Sequence, residues 1–407
     1  MSAPPLLAIT PTDSRRPLVF WWGVSSFYGW GIYGLNLALA LSHHPDYAPI
    51  CAIECGAADI VLDPLRQAQL AAALRPSLGL WSALGSAADP VVEVDAPVLV
   101  GLGMDLQTAA AAYDKRLIGR PSIGVAFLEE ATISPEGRRR ADRLAMIVAG
   151  SRWNERVLRA NGIIATTTVI QGVDTSLFHP APRADVFPGR FVIFSGGKLE
   201  FRKGQDLVLA AFRAFRQRHA EALLLAAWHC PWSYLSTAAA SHPGIVPPRL
   251  GPDGTADIVA WAVENGVPAD SIVSVGSAPN IAMPHVIRQA DVALFANRAE
   301  GGTNLVAMEC MACGIPTILS ANTGHLDLLE RKDAALRLNT QGTVARDGVD
   351  TTDWGESDVE EMVEALEAVW RDRARAAEIG RNGAAFMAEL PWPTQVGKLI
   401  RAIEPLL

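Results

Sequence analysis

The sequence predicts an α/β protein of two domains, each built on a parallel β-sheet with helices on both faces. Short apolar runs rich in Val and Ile alternate with segments of helical spacing along most of the chain, which is typical of such sheets. The apolar runs are continuous, as expected of strands buried on both faces. A proline-rich stretch without periodicity, residues 178–189, separates the two halves of the 407-residue chain.

The elements follow one another in a regular order. We expect strands in the first half at 17–23, 47–55, 97–103, 122–130, 145–151 and 166–172, and in the second half at 189–197, 222–230, 271–277, 291–298 and 316–320. Clear helical spacing is present at 34–44, 152–162 and 205–220, and a last helix follows a proline break near residue 391. Ligands of open parallel sheets bind at the carboxyl ends of the strands. The strand-to-helix turns are therefore the informative segments.

The overall composition argues against several classes of function. The net charge of −8 is unlike that of a general nucleic-acid binder. The N-terminus is a poor signal peptide, and no apolar run reaches the length of a membrane span. We expect a cytoplasmic protein. The basic cluster at 136–143 is either a solvated helix face or a patch for phosphate or for the inner face of a membrane, so peripheral membrane contact stays open. The oligomeric state is not indicated.

The five cysteines do not indicate a disulfide framework, because their number is odd and the chain is long. Cys310 and Cys313 form a C-x-x-C, but they lie in a predicted apolar helix without a second pair of ligands. We expect buried thiols and predict no metal site.

The first informative turn follows the strand at 17–23 and contains Gly29, Gly31 and Gly34. Glycines allow close approach to a ligand and leave helix amides free for an anion. The spacing matches a dinucleotide-binding turn only loosely, with Glu54 as the candidate ribose acid. A purely structural glycine turn is the alternative.

The second turn places Lys198, Arg202 and Lys203 between a strand and a helix. Several cations beside the start of a helix suit a phosphate group, although the same residues would also be typical of a solvated loop. The third turn, Glu300–Gly302, precedes a helix expected from about Leu305, with Thr303 or Asn304 as its N-cap. Its amides can hold a diphosphate or orient a sugar. Glu309 lies more than one turn into that helix among apolar neighbours, which weakens its interpretation as a surface residue.

Three segments together resemble the retaining family 4 glycosyltransferases of the GT-B fold. They are SGGKLEFRKG (195–204), VIQGVDTSLFHP (169–180) and AEGGTNLVAMECMACGIPTIL (299–319). The resemblance is good over 145–330 and weak in the N-terminal half. It implies two Rossmann-like, doubly wound parallel-sheet domains that face a central cleft. Residues 1–185 would be the acceptor-side domain, and 186–390 would bind the nucleotide sugar. The helix 391–407 would pack back on the first domain.

The resemblance also implies roles for individual residues. Glu300, Lys198 and Lys203 would be catalytic, the first by contacting the donor sugar and the lysines by binding its diphosphate. The donor would further be bound by Glu309 at the ribose and by Gly301, Gly302, Thr303, Asn304, Leu305, Arg202, Gly29 and Gly31. Such enzymes need no bound metal and no cofactor besides the nucleotide diphosphate sugar.

Three departures from the family pattern are visible. Eight residues rather than seven separate Glu300 from Glu309, and Lys198 stands where the family usually has arginine. The family often has a histidine that faces the sugar, but the matching segment 122–135 contains none. Glu129 or Glu130 could take its place on the acceptor side, and His325 is a further candidate there.

The sequence thus predicts a retaining, metal-independent glycosyltransferase. It would move a sugar from a nucleotide diphosphate donor to a hydroxyl of a glycan, a lipid or another glycoconjugate. Two alternatives are a catalytically inactive nucleotide-sugar-binding protein and a nicotinamide-dependent oxidoreductase. The base, the sugar and the acceptor are not predicted.

Overall fold

The structure is a computed structural model that describes residues 6–9, 14–110 and 115–407. The chain forms two compact units. The first comprises Met1–Gly172, Pro279–Ile281 and Leu390–Leu407, and the second comprises Val173–Ala278 and Ala282–Glu389. The segment 173–185 belongs to the second unit, where Arg288 Nη2 donates to the carbonyls of Leu177 and His179 at 2.8 and 2.9 Å.

The first unit contains two parallel sheets within the described residues. Its strands are β1 (Leu6–Leu7), β2 (Arg16–Trp21), β3 (Tyr47–Cys51), β4 (Val91–Val94), β5 (Val98–Leu102), β6 (Arg116–Ile118), β7 (Ser122–Ala126), β8 (Ile147–Ala149) and β9 (Thr166–Thr168). The order β3-β2-β5-β7-β8-β9 forms the larger sheet, and β1-β4-β6 forms the smaller one. Its helices are α1 (Gly29–Leu41), α2 (Pro64–Leu74), α3 (Ser77–Ser86), α4 (Pro135–Ala141) and α5 (Arg152–Ala160).

The central strands of the first unit are buried on both faces. Leu18, Val19 and Phe20 of β2 are fully buried, and β3 and β5 show the same continuous burial. This is the expected consequence of continuous apolar runs, because helices cover both faces of a parallel sheet. The predicted strands of the first half correspond to β2, β3, β5, β7, β8 and β9. The sequence did not predict β1, β4 and β6, which are short and belong to the smaller sheet.

The second unit is a single large parallel sheet with helices and one small hairpin in its described residues. Its strands are β10 (Phe191–Lys198), β11 (Ala222–His229), β12 (Ile272–Ser274), β13 (Val292–Phe295), β14 (Thr317–Ser320), β15 (Leu336–Leu338), β16 (Gln341–Gly342) and β17 (Glu356–Ser357). Its helices are α6 (Gln205–Arg216), α7 (Ser233–Thr237), α8 (Ile258–Glu264), α9 (Met283–Ile287), α10 (Leu305–Ala312), α11 (Val359–Arg371) and α12 (Arg373–Met387).

The large sheet has the order β12-β11-β10-β13-β14-β15, and its neighbouring strands are parallel. Counted from β10, this is the 3-2-1-4-5-6 order of the Rossmann fold. The chain leaves β10 toward one edge and returns to β13 to build the other. The topological switch point therefore lies between β10 and β13, where ligands of doubly wound sheets bind.

The last helix, α13 (Trp392–Ile403), belongs to the first unit. The Trp392 ring stacks on the Tyr33 ring of α1 at a centroid distance of 5.3 Å. A Cβ atom on Gly172 would lie 2.6 Å from Trp392 Cα, so a glycine is required where the helix begins. Within residues 6–9, 14–110 and 115–407, no helix has both the length and the hydrophobicity that a transmembrane segment needs.

Candidate functional site

The candidate site is formed by the two turns at the switch point of the second unit. The turn after β10 contains a short 3₁₀ segment, Phe201–Lys203, and ends at Gly204 before α6. The turn after β13 runs through Glu300 to Asn304 before α10. The backbone of Arg298 donates to the Arg202 carbonyl at 2.7 Å, which joins the two turns.

Gly204 makes this close approach possible. Its φ of 65° is left-handed, and a Cβ atom there would lie 2.1 Å from the Ala296 carbonyl oxygen. Any side chain would therefore separate the turn after β10 from the turn after β13. Gly204, the glycine of the RKG sequence, is therefore required by backbone packing, independently of any ligand.

Glu300 is the centre of the contacts between the two turns. One carboxylate oxygen accepts hydrogen bonds from Lys203 Nζ and from Asn297 Nδ2. The other oxygen accepts from Arg202 Nη1 at 3.1 Å. The backbone amide of Glu300 donates to Thr323 Oγ1 at 2.8 Å, which fixes the turn itself. The predicted residues Glu300, Lys203 and Arg202 are thus brought into direct contact.

Burial and charge act against each other on Glu300. Burial alone would raise the pKa of this carboxyl, but the nearby charges of Lys203 and Arg202 lower the pKa to about 2. Burial lowers the pKa of Lys203, and the Glu300 carboxylate opposes that effect. Glu300 is consequently an ionised hydrogen-bond acceptor at neutral pH.

A second buried carboxylate, Glu200, extends this cluster toward the sheet. It forms ion pairs with Lys198 at 2.8 Å and with Arg202 at 2.7 Å. The Lys198 side chain is about one third exposed, and its Nζ lies 5.3 Å from the centre of the Trp232 ring. The cluster thus holds three cations against two carboxylates, an excess of one positive charge.

The start of α10 provides the amide-rich part of the site. Asn304 has a left-handed backbone, with φ of 64°, and its side chain caps the helix by accepting from the Ala307 amide at 3.3 Å. Thr303 is fully buried, and its hydroxyl contacts Met308 Sδ at 3.0 Å. Thr303 can therefore contribute only its backbone amide to a ligand. Of the two predicted N-cap residues, Asn304 is the cap.

His325 positions Asn304. Its Nε2 lies 3.0 Å from Asn304 Nδ2, and its Nδ1 lies 3.0 Å from Ser320 Oγ and 3.2 Å from the Ser320 carbonyl. Because the amide nitrogen donates, Nε2 accepts and Nδ1 carries the proton. Burial lowers the pKa of His325 to about 4, so the ring is neutral at pH 7. The structure places this predicted acceptor-side residue in the second unit, fully buried.

Gly324 lies in the NTGH segment (322–325) after β14 and packs closely against the turn after β13. A Cβ atom on Gly324 would lie 1.7 Å from the Gly302 carbonyl oxygen, and its amide donates to the Glu300 carbonyl at 3.0 Å. The turn Glu300–Gly302 therefore packs directly against the backbone of Gly324. This contact fixes the shape of the turn that contains the additional residue between the two glutamates.

Glu309 is buried within α10, with 6% of its surface exposed. Its buried neighbours Cys310 and Cys313 are free thiols. Burial raises the pKa of the Cys310 thiol well above its usual value, and it raises the pKa of Cys313 to about 12. The predicted burial of these two thiols is confirmed, and they are protonated at neutral pH.

Behind the site, a buried ion pair holds the two turns together. The Arg298 guanidinium is fully buried, forms two hydrogen bonds of 2.9 Å with the Asp206 carboxylate and lies 2.7 Å from Glu356. It also donates to the Phe201 carbonyl at 2.8 Å. Asp206 lies in the first turn of α6 and Arg298 follows β13, so the pair connects the two turns at their base.

The remaining predicted residues belong to the first unit. Gly29 and Gly31 lie at the start of α1. A Cβ atom on Gly31 would lie 2.4 Å from Ser25 Cβ, whereas the same atom on Gly29 would have no neighbour within 4 Å. Gly31 is thus needed for packing. Glu129 and Glu130 follow β7 and are half-buried.

Several residues of the cluster were not predicted from the sequence. Glu200, Asn297, Thr323 and Arg298 contact predicted residues but were not singled out. Glu200 had a visible signal, since it is an acid flanked by three cations at a strand end. Thr323, which contacts Glu300 from the loop after β14, had none. Among the described residues, no group of three or more His, Cys, Asp or Glu side chains is placed to hold a metal ion.

Comparisons with known proteins bear on this site. Residues 279–399 match the family model described as Family 4 Glycosyltransferase in conflict systems. That segment contains Glu300, α10 and the first part of α13. None of the curated protein sequences matches the chain.

Solved structures share the fold over nearly the whole chain. Sucrose-phosphate synthase from Thermosynechococcus elongatus has a TM-score of 0.62 at 17% identity, covering 96% of this chain and 99% of its own. Anabaena HepE in complex with UDP and glucose has a TM-score of 0.64 at 13% identity, with coverages of 96% and 100%. A glycosyltransferase from Rickettsia africae has a TM-score of 0.61 at 9% identity, with coverages of 97% and 99%.

These likenesses confirm the GT-B fold, and the family model supports the resemblance on which the predicted function rests. Sequence identities this low support only a shared fold, whereas the family match covers the segment that contains Glu300 and Glu309. The predicted class, a glycosyltransferase, agrees with the family match. The chain has the GT-B fold and, over residues 279–399, is similar to the family 4 glycosyltransferases.

Proposed function

We propose that this protein transfers a sugar from a nucleotide diphosphate sugar to an acceptor hydroxyl, with retention at the anomeric carbon and without a bound metal. The observation that carries this proposal is the ionised, buried Glu300 between Lys203 and Arg202 at the switch point of the second sheet. Ionised carboxylates accept hydrogen bonds from sugar hydroxyls, and the adjacent cations suit a diphosphate.

The diphosphate would bind between the cations and the start of α10. Lys198 is the last residue of β10, and Arg202 and Lys203 lie on the turn that follows it. The amides from Gly301 to Leu305 lie on the other turn. The positive end of the α10 dipole adds to the attraction for an anion. Lys198 supplies a point charge where an arginine would bind in a bidentate way. As the glycosidic bond breaks, these groups stabilise the negative charge that develops on the leaving diphosphate.

Glu309 would hold the ribose hydroxyls of the donor. It is buried in α10 beyond the turn that contains Glu300. An ionised carboxylate can accept hydrogen bonds from both neighbouring hydroxyls of a ribose. In this arrangement, the two glutamates contact opposite ends of the donor.

The lowered pKa of Glu300 argues against a role for this residue as the general acid of a glycosidase. A glycosidase requires a carboxylic acid with a raised pKa that protonates the leaving oxygen. Glu300 has a lowered pKa instead. We therefore propose that the protein positions the donor and acceptor, and that a donor phosphate oxygen accepts the proton of the attacking hydroxyl. Retention would follow from attack on the face that the diphosphate leaves.

The acceptor side belongs to the first unit in this proposal, with Glu129 and Glu130 as the candidate contacts. The acceptor class stays a glycan or a lipid-linked molecule. We place the activity in the cytoplasm, with peripheral contact at the inner face of a membrane as an addition to test. The basic helix α4 is partly neutralised, because Arg139 pairs with Glu136, and Arg140 pairs with Asp105 at 2.8 Å.

A thermal-shift screen of nucleoside diphosphates and their sugars tests the donor class. UDP and UDP-glucose come first, because the similar HepE structures contain them. A donor present at about 100 times its Kd should stabilise the protein by about 2.7 kcal/mol. A nicotinamide dinucleotide that stabilises the protein more than every nucleotide sugar would favour the oxidoreductase instead.

Transfer of a labelled sugar separates an enzyme from an inactive binding protein. Purified protein is incubated with the stabilising donor and with a panel of glycan and lipid-linked acceptors, and the released nucleoside diphosphate is measured. We expect release that depends on the acceptor and a product with the donor's anomeric configuration by NMR. Binding without release across the panel would favour the inactive protein.

A further inference from the structure

Two thiols lie together at a strand end that the proposed function does not use. Cys51 is the last residue of β3, and Cys55 follows four residues later in the loop toward α2. Both belong to the first unit. Cys51 is fully buried and Cys55 is partly exposed.

The geometry brings the two sulfur atoms into contact. Cys51 Sγ lies 3.1 Å and Cys55 Sγ lies 3.5 Å from the same oxygen, the Ile53 carbonyl. The two thiol groups also shift each other's pKa, upward at Cys51 and downward at Cys55. The loop between them is short, so bond formation requires only local movement of Cys55.

The backbone around Cys51 is held more firmly than that around Cys55. The Cys51 amide donates to Ser77 Oγ at 2.9 Å, and its carbonyl accepts from Trp81 Nε1 at 2.8 Å. Both partners lie on α3. Cys51 is thus fixed, and Cys55 is the member of the pair that can move and that solvent reaches.

The surroundings of the two thiols shift their pKa values in opposite directions. The hydrogen bond from Cys51 and a backbone hydrogen bond from Val24 lower the pKa of the Cys55 thiol, against burial and the carboxylates of Asp59 and Glu54. Burial raises the pKa of Cys51 well above its usual value. A thiolate is the reactive form toward an oxidant, so Cys55 is the first to react.

We propose that Cys55 and Cys51 form a reversible redox pair, in which peroxide oxidises Cys55 and Cys51 then closes an internal disulfide. In the first step, the Cys55 thiolate attacks hydrogen peroxide, the O–O bond breaks, and Cys55 sulfenic acid and hydroxide form. In the second step, the Cys51 sulfur attacks the Cys55 sulfur, the S–O bond breaks, and water leaves with the Cys51 proton. A dithiol reverses the reaction by exchange.

The disulfide would change the contacts of the glycine-containing turn that precedes α1. Cys55 accepts a hydrogen bond from the Val24 backbone amide in the reduced protein. Val24 immediately precedes Ser25, against which Gly31 of α1 is packed. Movement of Cys55 toward Cys51 removes that hydrogen bond at the beginning of the turn before α1.

The other three cysteines provide an internal comparison. Cys230, Cys310 and Cys313 are buried, and burial keeps Cys310 and Cys313 in the thiol form. We expect Cys55 to react with iodoacetamide at least about tenfold faster than any of these three.

Intact-mass spectrometry of the native protein tests the pair. After treatment with a small excess of hydrogen peroxide, we expect a loss of about 2 Da, for the two hydrogens removed, and recovery with dithiothreitol. Trypsin leaves both cysteines in one peptide, because no Lys or Arg lies between Arg16 and Arg66. The loss must therefore appear within that single peptide.

Single variants assign the two roles. In Cys51→Ser, the Cys55 sulfenic acid should accumulate and react with dimedone, whereas Cys55→Ser should show neither a disulfide nor a trapped sulfenic acid. Cys313→Ser is the matched control and should still lose about 2 Da. Wild-type protein that keeps all five thiols under peroxide would overturn the proposal, as would oxidation of Cys51 in Cys55→Ser at the wild-type rate.

Discussion

The turn after β2 in the first unit and the turn after β10 in the second unit have the same plan and different contents. In both, a buried strand leads through glycines into a helix. Around the first turn the Trp22 ring contacts the Trp30 and Tyr33 rings at 5.4 and 5.5 Å, and Gly31 packs on Ser25. Around the second turn, ionised side chains are paired with one another.

The comparison shows that glycine spacing does not by itself identify a ligand site. Gly31 and Gly204 are both required by close packing of backbone, yet only the turn at Gly204 is surrounded by cations and carboxylates. A shared fold supplies the position of a site at the strand ends, and the side chains of the turns decide its chemistry.

Loss of the buried pair beneath the charged turns should have the largest effect on stability. Arg298→Met leaves the Asp206 carboxylate buried without its guanidinium, and we expect the free energy of unfolding to fall by about 3–5 kcal/mol. Urea unfolding measures the change. Arg375→Met is the control, because its pairs with Asp333 and Glu378 are exposed and screened by solvent, so this variant should be destabilised much less. Equal effects of the two variants would contradict a structural role for Arg298.

Removal of one cation from the charged turn should slow the reaction more than it destabilises the protein. Lys203→Met keeps most of the buried stem but removes a charge that contacts Glu300. We expect kcat to fall by about 10²–10³-fold, as for removal of one group that stabilises a developing charge. Steady-state kinetics with the identified donor measures it, with the exposed Lys332→Met as control. A wild-type kcat would exclude Lys203 from the site.

The charged turn should also give the protein a dependence of stability on pH. Glu300 has a lowered pKa of about 2, so its contribution is fully present above the usual carboxyl pKa near 4.5 and is lost as the pH falls toward 2. That contribution amounts to about 3 kcal/mol. Urea unfolding at pH 5, 4 and 3 should show a smaller decrease in Glu300→Gln than in wild type. Parallel curves would mean that Glu300 is not held ionised.

His325 should act in a separate pH window. Its pKa is lowered from 6.5 to about 4, so the unfolded chain binds a proton that the folded protein does not bind between these values. Stability is therefore lost as the pH falls from 6.5 to 4, by about 3 kcal/mol. In His325→Gln, the slope of unfolding free energy against pH should decrease in this window. An unchanged slope would show that the ring titrates normally.

Substitution of the two glycines at the start of α1 tests packing against ligand contact in the first unit. Gly31→Ala should lower the free energy of unfolding by about 2 kcal/mol, because the added carbon meets the Ser25 backbone. Gly29→Ala has open space and should change stability by less than about 0.5 kcal/mol. A loss of donor affinity in Gly29→Ala without a loss of stability would assign that glycine to the donor after all.

Replacement of Glu309 should have the smallest effect of these. Glu309→Gln keeps the size of the side chain but leaves one oxygen that can accept from two ribose hydroxyls. We expect nucleoside diphosphate binding to weaken about tenfold, which is about 1.4 kcal/mol, by isothermal titration calorimetry. Glu378→Gln on the exposed face of α12 is the control. Unchanged affinity in Glu309→Gln would remove Glu309 from the donor site.

Much of the donor-side site could be predicted because its residues are close in sequence and lie at strand ends. The cations of the RKG turn and the EGG turn before α10 were visible as polar interruptions between apolar runs. Thr323 was not, because it contacts Glu300 from the loop after β14, and Asn297 was not singled out although it lies only three residues before Glu300. No periodicity connects segments that meet only when the sheet forms.

By itself, the sequence determined the α/β class, the main strands of both sheets and the position of the charged turns, because hydrophobic periodicity and local turn chemistry are properties of neighbouring residues. Only the tertiary structure decided how the charges are used. It paired Glu300 with Lys203 and Arg202, buried His325 against Asn304 and brought the Cys51 and Cys55 thiols together. Those outcomes depend on which strand ends become neighbours and on how far burial strengthens or opposes each charge.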